Sequence, residues 1–258
     1  MSAQSVKILS GWSNPGGTTM HHIALTNLLN EAGYDCTFYG PHAWHLGRCR
    51  SGRLDDSRVD SSDIVISHKI KVPKLDCRLH VLSCHETDLF PLKSRSLEPY
   101  DVIQFVSDFQ RRWHGVDHPW VVIPPVVDRI RWSNPRNLTA AVIGSIDRNK
   151  QTHLAIAQAL ADGYRRILLF GVATDRNYFE QEVRKYVENG SAVLMGHEDQ
   201  RERMYGLVEV VYHSSLRETF GLVEAECSAS GIPFVGPRNN PRILDKTEIL
   251  GRWQQLFR

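Results

Sequence analysis

Long hydrophobic runs are missing from this 258-residue sequence. No stretch approaches the roughly 18 apolar residues of a membrane-spanning helix. The start, MSAQSVKILSGWSNPGG, carries too short an apolar run to read as a signal peptide. Peripheral membrane contact stays open. Paired cysteine spacing is also missing. Cys36, Cys49, Cys77, Cys84 and Cys227 are odd in number and read as reduced thiols of a cytoplasmic protein. A charge of one sign is lacking too. Lys plus Arg is 31 against 29 Asp plus Glu, so the net charge of +2 selects no nucleic acid or anionic membrane except through a local patch.

Several nucleotide and metal signatures fail. GWSNPGGT, Gly11 to Thr18, nearly spells a P-loop but has Gly17 where the phosphate-binding lysine belongs, which excludes an NTPase of that type. The G-x-G-x-x-G fingerprint is absent from this turn and from IGSIDRN. There is no G-x-S-x-G elbow. His21-His22 and Cys84-His85 lack zinc-ligand spacing, so no metal is expected.

What the sequence does have is alternation. VKILSG reads as a buried strand ending in a glycine turn, TTMHHIALTNLLNEAGY as a helix stopped at Gly33, and DCTFYGP as a second strand. DIVISH, RLHVLSCH and VIQFVS are further strands. SDFQRRWHGV is a short helix capped by its Ser or Asp. PWVVIPPVVD is a strand running into a Pro-Pro break. A second cycle starts at LTAAVIGSID and alternates through KQTHLAIAQALADGY, RRILLFGVA, RNYFEQEVRKYVENG, SAVLMGH, DQRERMYGL, VEVVYHSS, GLVEAECSASG and IPFVG. EILGRWQQLFR closes as an amphipathic helix. Strands alternating with helices predict parallel sheets covered on both faces. The class is therefore α/β, with two Rossmann-like doubly wound domains, 1–128 and 129–258, facing a cleft. Ligands of such sheets sit beyond the carboxyl ends of the strands.

One such strand end, SSLRETFGLVEAECSASGIP, holds Glu218 and Glu226 eight positions apart. A helix opening at Phe220, Gly221 and Leu222 presents free N–H groups and partial positive charge, which suits a phosphate. Gly221 lets the anion approach the backbone. Glu226, a turn further in, could accept from the vicinal hydroxyls of a ribose. Glu218 could accept from a second sugar on the other side of a diphosphate. Spacing alone leaves another reading open, in which Glu218 neutralises Arg217 or caps the helix and Glu226 lies on a solvated face.

ETFGLVEAE followed by GIP resembles the E-x7-E signature of retaining GT-B glycosyltransferases. SNPGGTTMHHIALTNLLNEAGYDCTFYG resembles that family's first glycine loop, helix and second strand. FVSDFQRRW, VVIPPVVD and VIGSIDRNKQTHLAIAQAL resemble further segments, so the similarity is piecewise over most of the chain. The resemblance implies a glycosyl transfer from a nucleotide-diphosphate sugar, with no cofactor or metal and with retention at the anomeric carbon. It implies that Glu218 binds the transferred sugar, Glu226 the ribose, and Phe220, Gly221 and Leu222 the sugar and phosphates. Lys150 would hold the diphosphate. Ser145 stands where the family has an arginine, a departure that Arg148 could offset. Gly16 and Gly17 would close over the phosphates, Gly196 and His197 would hold the base, and His85 would orient the sugar.

The acceptor is unread: a glycan, a lipid-linked sugar or modified nucleic acid all remain. Glu86 and Asp88 are candidate proton acceptors. His21 and His22 read as helix-face residues. Arg48, Arg50, Arg53, Arg58, Lys69, Lys71 and Lys74 form a basic stretch that could meet phosphate-bearing acceptors or simply face solvent. The chain is short for the family, with trimming between FYGPHAWH and SRVDSSD and at the C-terminus. An epimerase or phosphorylase on the same fold, and a catalytically degenerate donor-binding subunit, are the alternatives.

Overall fold

The computed structural model describes residues 3–87, 92, 96–239 and 241–258. Contacts divide the chain into unit 1, Met1–Val126 with Leu244–Arg258, and unit 2, Val127–Ile243.

Unit 1 runs β1 (Ser5–Ser10), α1 (Gly17–Glu31), β2 (Asp35–Gly40), β3 (Ser51–Arg53), β4 (Ile64–His68), β5 (Leu79–Cys84), β6 (Val102–Phe105), α2 (Asp108–His114) and β7 (Trp120–Val122). The strands form one sheet in the order β3-β2-β1-β4-β5-β6-β7, and every described pair is parallel. Covering both faces explains why β4 is buried along its whole length. One face packs Val6, Ile8, Ile64 and Ile66 against Leu25 and Leu29 of α1. The other gathers Leu82, Cys84, Ile103 and Phe105. The expected cap of α2 is present: Ser107 Oγ accepts from Gln110 N at 3.1 Å, and Gly115 ends the helix in the left-handed region at φ 54°.

Strand β3 is absent from the sequence reading. Its Ser-Gly-Arg has no apolar residue to reveal it, and it pairs with β2 through its backbone alone. Gly52 leaves room for the Tyr39 ring, which would have to shift for a Cβ standing 2.9 Å from it.

Unit 2 runs β8 (Thr139–Ile143), α3 (Thr152–Ala161), β9 (Arg166–Phe170), a composite helix α4, β10 (Ala192–Gly196), α5 (Arg201–Gly206), β11 (Val210–Tyr212), α6 (Leu222–Ser230) and β12 (Phe234–Val235). Helix α4 joins an α turn at Arg176–Tyr178, a π segment at Phe179–Val183 and an α segment at Arg184–Glu188. The sheet order is β10-β9-β8-β11-β12, again parallel in every described pair. Alternate residues of β8 enter opposite cores: Ala140 and Val142 pack with α3, Ala141 with Tyr205 and Cys227.

The last helix, α7 (Lys246–Leu256), differs from the sequence expectation that placed residues 129–258 together. Its Ile249 and Trp253, with Phe257 beyond it, join the α1 face of unit 1. Arg252 Nη1 donates to Val122 O at 3.0 Å, and Arg78 Nη2 donates to Phe257 O at 3.0 Å. An amphipathic stripe states that a helix needs an apolar partner but not which one. Trp253 is fully buried. Trp253→Ala is expected to destabilise unit 1 by about 3–5 kcal/mol, seen as a lower urea midpoint by tryptophan-independent circular dichroism. A change under about 1 kcal/mol would show that α7 does not hold unit 1 together.

Candidate active site

In unit 2 the chain runs outward from β8 to β9 and β10, then returns to β11 on the other side of β8. The turn after β8 and the loop after β11 are therefore neighbours at the carboxyl edge, where the strand order reverses. Lys150 lies on the first and Glu218 on the second, and their side chains form an ion pair. Asp147 builds the first turn. Its Oδ1 accepts from Lys150 N at 2.9 Å and its Oδ2 from Ser145 Oγ at 2.5 Å. Close approach demands glycine here: a Cβ on Gly171 would lie 1.8 Å from Gly144 O.

Glu218 has a second cation-capable partner that sequence reading missed. His213 Nε2 donates to Oε1 at 2.8 Å. His213 immediately follows β11, so the strand-end rule was the signal that could have found it. Burial works against the Glu218 charge, but the hydrogen bond from His213 and the attraction of Lys150 outweigh it, and the pKa falls to about 2.

Glu226 is arranged differently. Its side chain is 5% exposed and faces α5, where Arg201 Nε lies 3.1 Å from Oε1 and Tyr205 OH donates to Oε2 at 2.6 Å. Burial pushes its pKa up, with Arg201 and Tyr205 pulling the other way. Neither glutamate lies on a solvated face, and the described partners of Glu218 are Lys150 and His213. Between the two acids, Gly221 takes the left-handed conformation (φ 83°, ψ 56°) and opens α6 at Leu222 without a side-chain cap. Phe220, the residue before it, is buried. Glu224 Oε2 accepts from Asn239 N at 2.8 Å and fastens the segment after β12.

The other residues expected in unit 2 are not among the described partners of Glu218 or Glu226. Arg148 is 65% exposed and pairs with Asp175 at 3.2 Å. Gly196 ends β10 at φ 71°, and the His197 ring meets Asp199 at 2.6 Å.

In unit 1, Gly16 and Gly17 open α1, and a Cβ on Gly16 would meet nothing within 4 Å. His85 is buried at the end of β5, with Nε2 3.0 Å from Ser83 Oγ. It belongs to a group of four interior histidines. Ring centroids are 4.7 Å apart for His21 and His85, 5.1 Å for His22 and His68, and 5.3 Å for His22 and His85. His21 and His22 lie on α1, and the face they share is the inner one. Glu86 is tied to His68 at 3.1 Å and Lys69 at 2.9 Å. Burial opposes its ionisation, yet these partners hold its pKa at about 2, so it is a weak base as it stands. Asp88 lies outside the described residues. The basic stretch is partly neutralised, since Arg50 pairs with Asp35 as Lys69 does with Glu86. Among the described residues, no group of three His, Cys, Asp or Glu could hold a metal ion.

The sequence matches no protein-family model and no curated protein. The structure does have counterparts. It is similar to Anabaena HepE in complex with UDP-glucose, with a TM-score of 0.68 and 11% identity over 98% of this chain and 90% of that one. It is similar to AviGT4, a glycosyltransferase involved in avilamycin A biosynthesis, with a TM-score of 0.58 and 20% identity over 90% and 78%. It is also similar to the pneumococcal O-GlcNAc transferase GtfA, crystallised with UDP and GlcNAc, with a TM-score of 0.53 and 14% identity over 77% of this chain. The chain spans 50% of GtfA. These likenesses establish the fold, the GT-B type with two parallel α/β sheets.

Proposed function

We propose that this protein transfers a glycosyl group from a nucleoside-diphosphate sugar to an acceptor hydroxyl. The observation that carries the reading is a pair of differently partnered carboxylates, half-buried Glu218 and buried Glu226, on either side of the uncapped start of α6, with Lys150 beside the first. Three counterparts bearing the same fold are a protein bound to UDP-glucose, a glycosyltransferase and an O-GlcNAc transferase.

In this reading the donor diphosphate rests on the N–H groups of Gly221 and Leu222 and competes with Glu218 for Lys150. Helix and lysine together supply the positive charge that a departing diphosphate needs. Glu218, already ionised, accepts from hydroxyls of the transferred sugar, and His213 keeps it in place when Lys150 turns to phosphate. Glu226 takes the ribose, and Gly196 and His197 the base. In unit 1, Gly16 and Gly17 take phosphate oxygens and His85 orients the sugar. Retention follows if the leaving phosphate itself takes the acceptor proton. One observation favours a second reading, a donor-binding subunit without turnover: Ser145, at the family's arginine position, is bound to Asp147.

A thermal-shift series with UDP-, GDP- and ADP-sugars tests the proposal. A ligand at about 100 times its Kd adds about 2.7 kcal/mol to the native state and raises Tm by several degrees. One donor series is expected to do so and to be slowly hydrolysed to free sugar and nucleoside diphosphate. Glu226→Ala should weaken nucleotide binding about tenfold or more, while Glu218→Ala chiefly lowers turnover. No shift with any donor would sink the proposal, a shift without turnover favours the second reading, and an altered sugar on an intact nucleotide indicates an epimerase.

A further inference from the structure

Arg201 and Tyr205 stand four positions apart on α5, so both side chains leave the same face of that helix. They meet different oxygens of one carboxylate on α6: Arg201 on Glu226 Oε1, Tyr205 on Glu226 Oε2. Tyr205 is fully buried, and the Arg201 side chain is only 20% exposed. We propose that Arg201 and Tyr205 form a clamp that fixes the orientation and the charge of Glu226, making Arg201 the residue that decides how well a ribose diol is held. The inference rests on the reading of Glu226 as the ribose contact.

A carboxylate has about four acceptor positions, two on each oxygen. Tyr205 occupies one on Oε2 and Arg201 is the ion-pair partner of Oε1, so acceptor positions remain on both oxygens. Two vicinal hydroxyls need two such acceptors on one rigid group, which a 2′-deoxyribose does not use in full. The charge is as important as the orientation, because a protonated carboxyl presents one oxygen as a donor. Among the described residues, the charged and titratable groups acting on Glu226 are Arg201, Tyr205, Asp128 and Cys227. Asp128 opposes the charge, and burial raises the pKa values of the Tyr205 hydroxyl and the Cys227 thiol, the latter to about 12. Arg201 is therefore the one cation in that group. Without it, the buried acid takes up a proton at a higher pH.

The test uses the full chain labelled with carbon-13 at the glutamate carboxyl, the Glu226 signal being assigned with Glu226→Gln. Arg201→Met is expected to move the Glu226 titration midpoint up by at least about one pH unit, because it removes a charge-assisted partner from a buried site. Arg201→Lys should restore most of the shift, and Tyr205→Phe should change it less than Arg201→Met does. Binding is measured alongside with UDP and 2′-deoxy-UDP, or the base that the wild type prefers. Arg201→Met should lose the preference for the ribonucleotide at pH values below its own Glu226 midpoint and regain it as pH rises through that midpoint, a recovery that a merely misfolded site does not show. An unmoved midpoint in Arg201→Met overturns the clamp, and so does a pH-independent loss of affinity. A moved midpoint in a protein whose wild type binds no nucleoside diphosphate leaves the clamp standing as a device for holding Glu226 and removes the ribose assignment.

Discussion

Lys150→Met is expected to slow the proposed glycosyl transfer by a factor on the order of 10² to 10³, the usual effect of removing one preorganised charge from a transition state. Methionine keeps most of the apolar stem, which passes close to Gly144. The variant should therefore fold as the wild type does, and its circular dichroism and urea midpoint serve as controls. Two contributions disappear together: the charge that the proposal sets beside a departing diphosphate, and one of the two described partners of Glu218. The second loss has a defined pH signature. Glu218 is held at about 2 against an ordinary value of 4.5, so even a complete return to the ordinary value leaves it ionised at neutral pH. The defect should accordingly be constant between pH 6 and 8. Lys150→Arg, which keeps the charge but not the compact ammonium, should fall between the two. Turnover within about threefold of wild type in Lys150→Met would remove Lys150 from the mechanism.

That pairing also shows what a sequence reveals and what it withholds. Lys150 and Glu218 are 68 positions apart, yet each follows a recognisable strand, and parallel pairing of β8 with β11 brings the two strand ends together. Strands were legible because burial on both faces makes them short apolar runs ended by glycine. The same logic found α1, α3 and α6. It did not find β3, which pairs through backbone atoms with no apolar side chain to mark it. Nor did it assign α7, whose stripe of Ile249 and Trp253 fits any apolar face of the right shape. Arg201 and Tyr205 were invisible for another reason. On a six-residue amphipathic segment, a polar side chain at helical spacing reads as solvated until the carboxylate it faces is known. His21 and His22 were legible as helix-face residues, but the pattern did not say that Phe38 and His85 receive them inside.

Those interior histidines carry the largest expected effect on stability. Unit 1 should lose stability as pH falls from about 6.5, well before carboxylates begin to titrate. Burial holds His21 neutral with a pKa of about 3, against an ordinary 6.5, and the charge of His68 adds to the effect. Burial lowers His22 and His85 well below the ordinary value too, with the neighbouring histidines reinforcing it. Among the described residues, the four ring nitrogens of His21 and His22 have no hydrogen-bond partner to offset a proton. The unfolded chain binds protons on these rings below about pH 6.5 and the folded chain does not, so stability is complete above that pH and declines below it. At pH 4.5 His21 alone costs about 3 kcal/mol, two units at 1.36 kcal/mol each. His22 and His85 act in the same direction. Glu86 and Glu218, both held near 2, add their own losses only below about 4.5. Urea midpoints measured between pH 7.5 and 4.5 should therefore fall continuously, with the steepest part starting above the carboxylate range. His22→Phe separates the cause from general acid sensitivity. The ring already packs against Phe38, with centroids 5.4 Å apart, and no described hydrogen bond is lost on replacement. The variant should match wild type at pH 7.5 within about 1.5 kcal/mol and be the more stable of the two at pH 5. A wild-type midpoint that stays flat from pH 6.5 to 5 would mean that these rings already carry protons in the folded chain.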